Sequence, residues 1–170
     1  MSSVDLAALL LRATLGAVMV AHGVNHAWGA GALTATGAWF ASIGLRPGLL
    51  HAVLATATEI AAGALLLAGL LTPFAAAAVI ATMVVALITA HRGNGFFIFR
   101  PGQGWEYTGV LAAVALATAT LGPGRWSVDR LLGIEIGGAT APAIACVLGV
   151  LSAALLLAAC WRPGKPRPAS

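Results

Sequence analysis

The chain has 170 residues, 60% of them apolar and only 8% charged, with a mean hydropathy of +0.96. That composition excludes a water-soluble domain and describes a polypeptide that lies almost wholly in a bilayer. A formal net charge of +4 would suggest nucleic acid in a soluble protein. Here the basic residues are mostly spread over short connections, so the expected partner is membrane lipid and not nucleic acid.

Apolar stretches run over 4–28, 48–71, 73–91, 104–121 and 140–161, each ~18 to 25 residues and long enough to cross the hydrocarbon core as a helix. The flank MSSVD carries no Lys or Arg and no small-residue cleavage site follows the first stretch, so that span is expected to stay in the mature protein. At about 100° per residue, Arg12, Gly16, Met19, Gly23 and His26 share one stripe of it, with His22 at the edge, and this stripe should face the bundle. Trp39, Phe40 and Ile43, ahead of Arg46 and Pro47, read as a short helix in the membrane interface. Thr72 and Pro73 read as an N-cap and first helical residue, closing spans two and three into a tight hairpin. After span four, Gly122, Pro123 and Gly124 form a turn, and Ser127 caps a further short amphipathic segment anchored by Trp126. Cys146 and Cys160 lie on one helix ~21 Å apart, too far to bridge, and serve as small packing residues. Trp161 ends the fifth span, and Arg162, Lys165 and Arg167 form a basic tail that touches headgroups or sets topology. The distribution of Lys and Arg between the two sides favours a cytoplasmic C-terminus.

With five spans, parity brings the ends of odd spans and the starts of even spans to one membrane face. His22, His26, His51, His91 and Glu106 all fall there. His22 and His26 are an i, i+4 pair whose rings can meet at one point, as two ligands of a metal must, with His51, His91 or Glu106 as a third. Interfacial or packing histidines are the competing reading. Arg12 and Glu59 lie at membrane depth and are expected to pair, either to neutralise two buried charges or because Glu59 exchanges protons or binds a quinone headgroup. Glu106 opens span four, where the helix dipole favours a carboxylate. It is alternatively the acidic partner of the histidines or of Arg92 or Arg100.

Arg12 with Gly16, His22 with Gly23, Glu59 with Gly63 and LLLAGLLTP, HRGNGFF from His91, Glu106 with Tyr107, and GPGRWSVDRLLG stand in an order that resembles the DoxX family of small bacterial membrane proteins, over residues 6 to about 133. The strongest element is the motif loop Gly122, Pro123, Gly124, Arg125, Trp126, Ser127 and Asp129. The resemblance implies an all-α fold: a four-helix transmembrane bundle over residues 1–138, to which this chain adds a fifth C-terminal transmembrane helix at 139–161 and a basic tail at 162–170 expected to be disordered. It also implies the bacterial cytoplasmic (inner) membrane and a role in redox chemistry or oxidative stress, since a related protein is a subunit of a thiosulfate:quinone oxidoreductase. Where many members carry a Lys near the end of the first span, this chain has His26. No catalytic motif is present. The expected function is a quinone-linked oxidoreductase subunit or a membrane anchor for soluble oxidoreductases, with a quinone or a transition metal as cofactor. A metal-dependent membrane enzyme and a small transporter or structural protein are the alternatives.

Overall fold

The computed structural model describes residues 2–29 and 31–163. Seven α-helices run along them: α1 (Ser3–Trp28), α2 (Ala32–Ser42), α3 (Gly48–Ala68), α4 (Thr72–Ala86), α5 (Glu106–Leu121), α6 (Val128–Leu132) and α7 (Thr140–Cys160). α4 continues through a π-helical turn, Leu87–His91, and a 3-10 turn, Arg92–Asn94. Among the described residues, α1, α3, α4 with its continuation, and α7 are the four helices long and apolar enough to cross a membrane. α5 is shorter than the 104–121 span expected for it, at 16 residues or ~24 Å. The cause is local: the backbone N–H groups of Trp105 and Glu106 donate to Gly95 and Phe96 carbonyls at 3.1 and 2.8 Å, which holds Gly104 and Trp105 in the loop.

α1, α3, α4 and α5 close a ring in that order, α2 lies on α3, and α7 lies on α4 and α5. Small residues set the spacing, because lipid supplies no hydrophobic drive and helices must gain by close contact. A Cβ on Gly16 would stand 2.7 Å from the Gly63 carbonyl oxygen, and one on Gly63 would stand 2.7 Å from that of Gly16. These mutual approaches fix the α1/α3 register. α7 is joined at its end as well as along its side: Arg46 N–H donates to Cys160 O at 3.0 Å, Arg162 N–H to Gly44 O at 2.7 Å, and the Trp161 indole to Ile43 O at 3.0 Å. Of the basic tail expected at 162–170, Arg162 is held at the end of α7 by its bond to Gly44, and Lys165 and Arg167 lie outside the described residues.

The α3–α4 connection differs in one respect from the expected cap. Gly69 takes the left-handed conformation that ends α3, and Leu71 rather than Thr72 is the cap position of α4. Thr72 is the first helical residue, and α4 is capped from elsewhere: Asp129 accepts from the N–H groups of Leu71 and Thr72 at 2.7 and 3.0 Å and from the Thr72 hydroxyl at 2.8 Å. Ser127 does cap α6, accepting from Arg130 N–H at 3.2 Å. A carboxylate reaching across from α6 thus answers the free donors of a long helix and complements its dipole. Asp129→Ala is expected to destabilise the bundle by about 2–4 kcal/mol, since buried hydrogen bonds to a charged group go unanswered. Asp129→Asn should recover part of the loss. Thermal unfolding in detergent followed by circular dichroism reads both.

Candidate functional site

Two polar clusters occupy opposite ends of the bundle. At the first, Arg12 is fully buried and donates through Nη1 to Leu66 O at 3.0 Å and through Nη2 to Trp126 O at 2.6 Å. Gly69 is part of this cluster, because the guanidinium fills the space a Cβ there would take. Asp129 N–H donates to Gly69 O at 2.9 Å, and Asp5, in the first turn of α1, accepts from Arg125 N–H at 3.1 Å. The motif loop therefore acts as a clamp over the helix ends, with its carbonyl and carboxylate groups answering Arg12 and α4.

The expected Arg12–Glu59 pair does not form. In the register set by Gly16 and Gly63, Arg12 lies beside Leu66 and Leu67, while Gly23 lies against Thr56 and Glu59. Arg12 and Gly23 are separated by ~16 Å along the axis, and helical side chains lean toward the N-terminus, so Arg12 reaches away from Glu59. Glu59 instead faces His26, with Nδ1 and Oε2 3.0 Å apart. The contact is off the line of a directed hydrogen bond, and both atoms, although buried, have no hydrogen-bond partner.

That pair belongs to the second cluster, at the other end. There a cavity of about 620 Å³ is lined by all four histidines, His22, His26, His51 and His91, together with Glu59 and Tyr107. It continues as a groove between α3, α4 and α7, past Leu54, Ala78, Ala81, Phe74 and Leu148. Phe74 and Ala86, both in its wall, are ~18 Å apart along α4. The alanines of α4 leave the width of this channel open. His22 Nε2 is 2.9 Å from the Tyr107 hydroxyl, His91 Nδ1 donates to Gln103 O at 2.9 Å, and His51 Nε2 points to Arg46 O at 3.4 Å.

Two further expectations are corrected. Glu106 faces outward, where it accepts from Ile98 N–H at 3.1 Å, and is absent from the cavity wall. One residue on, about 100° around α5, Tyr107 takes the inward position. The imidazoles line one cavity without converging on a point: His22 and His26 have different partners, and among the described residues no three His, Cys, Asp or Glu side chains are arranged to hold a metal ion. Sequence reasoning missed Tyr107 as a wall residue and Glu59 as the carboxylate of the histidine end. The facing Gly16 and Gly63 are the signal that would have placed Glu59.

A model of the DoxX family matches residues 7–92, just over half of the 170-residue chain. The match contains Arg12, Glu59 and the four histidines and ends before the motif loop. No curated protein and no solved structure matches.

His26 and Glu59 should be energetically coupled. The stability losses of His26→Gln and Glu59→Gln are expected to depart from additivity by about 0.5–3 kcal/mol, whereas those of Arg12→Met and Glu59→Gln should add within about 0.5 kcal/mol. Chemical unfolding of the four single and double variants in one detergent checks both statements.

Proposed function

The chain belongs to the DoxX family of integral membrane proteins, and on that premise we propose that it is a quinone-binding subunit of a membrane redox system. The observation that carries this reading is the shape and polarity of the cavity. Its volume of about 620 Å³ lies in the range of small-molecule sites, roughly 300–1,000 Å³. Titratable groups gather at its head, and an apolar groove leads away from them between helices that face lipid. A quinone has that form, with a polar ring and a long apolar tail.

In this role His22, His26, Glu59 and Tyr107 hydrogen-bond the ring, and the His26–Glu59 pair exchanges protons with it, as ionisable groups kept at membrane depth commonly do. Leu54, Phe74 and Leu148 are partly exposed on the outer surface and also line the groove, so a ligand can reach it sideways from the bilayer. α7 forms one wall, which gives the added C-terminal segment, 139–161, a part in the site although it lies outside the family match. Electrons pass to or from a soluble oxidoreductase docked at the head end, in the bacterial cytoplasmic membrane. A role in the response to oxidative stress follows from the same assignment. A metal-dependent enzyme is less well supported, because the histidines do not converge.

Trp39 lines the cavity, so occupancy should quench tryptophan fluorescence. With purified protein in nanodiscs, decylubiquinone or its reduced form should quench saturably, and His22→Ala combined with His26→Ala should weaken binding at least about tenfold. The helical circular-dichroism spectrum should be retained, with a lowered melting temperature because buried Glu59 loses His26. Absence of saturable quenching by either form, or an unchanged affinity in the double variant, overturns the assignment.

A further inference from the structure

The loop 95–105, between the 3-10 turn after α4 and the start of α5, is closed on itself. The N–H groups of Gly104, Trp105 and Glu106 donate to Phe97, Gly95 and Phe96 O at 3.0, 3.1 and 2.8 Å, and Gln103 N–H donates to Arg100 O at 2.8 Å. Ile98 N–H donates to the Glu106 carboxylate at 3.1 Å, and Asn94 Nδ2 to Gly102 O at 2.6 Å. Through Ile98, Gln103 and Gly104 the loop roofs the histidine end of the cavity, where His91 Nδ1 meets Gln103 O at 2.9 Å. Phe97 and Phe99 are absent from that wall. They stand outside it, stacked with ring centroids 5.1 Å apart, and Phe99 is 80% exposed. Beside them Phe96 packs edge-on against Trp105 at 4.8 Å, and both of these rings are also exposed.

A loop in water leaves its backbone to the solvent and rarely shows it a contiguous run of large apolar side chains. This loop answers much of its backbone from within and turns Phe97 and Phe99 outward, which is what lipid demands of a chain. The length of α5 agrees. At 16 residues, or ~24 Å, it falls short of a hydrocarbon core of ~30 Å, so the residues just ahead of Glu106 come to lie at the edge of that core. The charges specify the lipid. Among the described residues this end carries Arg46, Arg92, Arg100 and Arg162 against Glu59 and Glu106. Arg100 directly follows the run FFIF, and neither it nor Arg92, which lies over the Trp161 ring at 5.4 Å, pairs with a carboxylate among those residues. We propose that loop 95–105 is a lipid-binding element: Phe97 and Phe99 enter the acyl chains at the edge of the hydrocarbon, and Arg100 pairs with the phosphate of an anionic phospholipid. The bilayer thereby holds the roof of the cavity over the histidines. Aromatic rings and a basic side chain reaching up to the headgroups are the usual means of fixing a segment at this level.

The test uses the full chain in nanodiscs of mixed phosphatidylcholine and phosphatidylglycerol. A nitroxide is attached at Phe97→Cys or at Phe99→Cys, with Cys146→Ala and Cys160→Ala removing the native thiols. Power-saturation EPR then compares collisions with oxygen, which concentrates among acyl chains, and with a water-soluble nickel chelate. Both sites are exposed, so the substitutions leave the bundle packing in place. Oxygen should exceed nickel at each, as it should for a label on the outward face of α7 at Leu155. Nickel ahead of oxygen at either loop site places that side chain in water and overturns the proposal, leaving the exposed rings to a protein partner. The headgroup contact is read separately, by native mass spectrometry of the phospholipid retained by the purified protein. One arginine near an anionic surface is worth about fivefold in preference for it, so Arg100→Gln should lower the excess of phosphatidylglycerol over phosphatidylcholine by about that factor. No excess on the wild-type chain, or the same excess on Arg100→Gln, overturns the assignment of Arg100 to an anionic phosphate.

Discussion

A charged group inside a bilayer has no water to turn to, so the chain itself must supply its partners. Arg12 is where this constraint is most severe, and the closed end of the bundle is arranged to meet it. Leu66 and Trp126 supply carbonyl oxygens, Gly69 supplies room, and the motif loop supplies the acid, Asp129, that caps α4. These contacts hold the ends of α1, α3, α4 and α6 in one relative position. With the close approach of Gly16 and Gly63, they fix which residues of α1 and α3 meet farther along, and so set Glu59 opposite His26.

The two ends of the bundle treat buried polarity differently. At the Arg12 end, donors and acceptors are matched almost completely, with Nε of the guanidinium as the exception. At the histidine end, Glu59 Oε2, His26 Nδ1 and the Thr56 hydroxyl are buried without hydrogen-bond partners. Unanswered buried polar groups are costly and uncommon in folded proteins, and a ligand is one way to answer them. Here two of the three residues, His26 and Glu59, line a cavity that continues into an apolar groove. The π-helical turn Leu87–His91 belongs to the same end, placing Thr89 and His91 in the wall. Such turns often accompany functional sites.

Much of the fold was legible in the sequence because helices in lipid must be long, apolar and internally hydrogen-bonded. Length and hydropathy located the helices, Ser127 marked the cap of α6, and the stripe from Arg12 to Gly23 marked the buried side of α1. The family resemblance led to the same bundle, and the family match agrees. Helix boundaries were less legible: Asp129 caps α4 from 57 residues away in sequence, and no local pattern announces that. The pairing of Glu59 failed for a similar reason. Depth counted from span ends carries the error of each boundary, whereas the true register depends on two glycines that touch across helices. Parity did gather the four histidines on one side, and all of them line one cavity. It could not show which way Glu106 and Tyr107 point, because neighbouring residues on a helix face different directions.

The central claim is that the groove between α3, α4 and α7 holds a quinone with its ring at the histidine end. Photolabelling with an azido-quinone in nanodiscs, followed by peptide mapping by mass spectrometry, tests this most directly. Adducts should fall near His22, His26, Glu59 and Tyr107 and along the alanine face of α4, and an excess of decylubiquinol should suppress them. Adducts restricted to the outward face of α7, at Val147, Val150, Leu151 and Leu155, or labelling that excess quinol does not reduce, would contradict it.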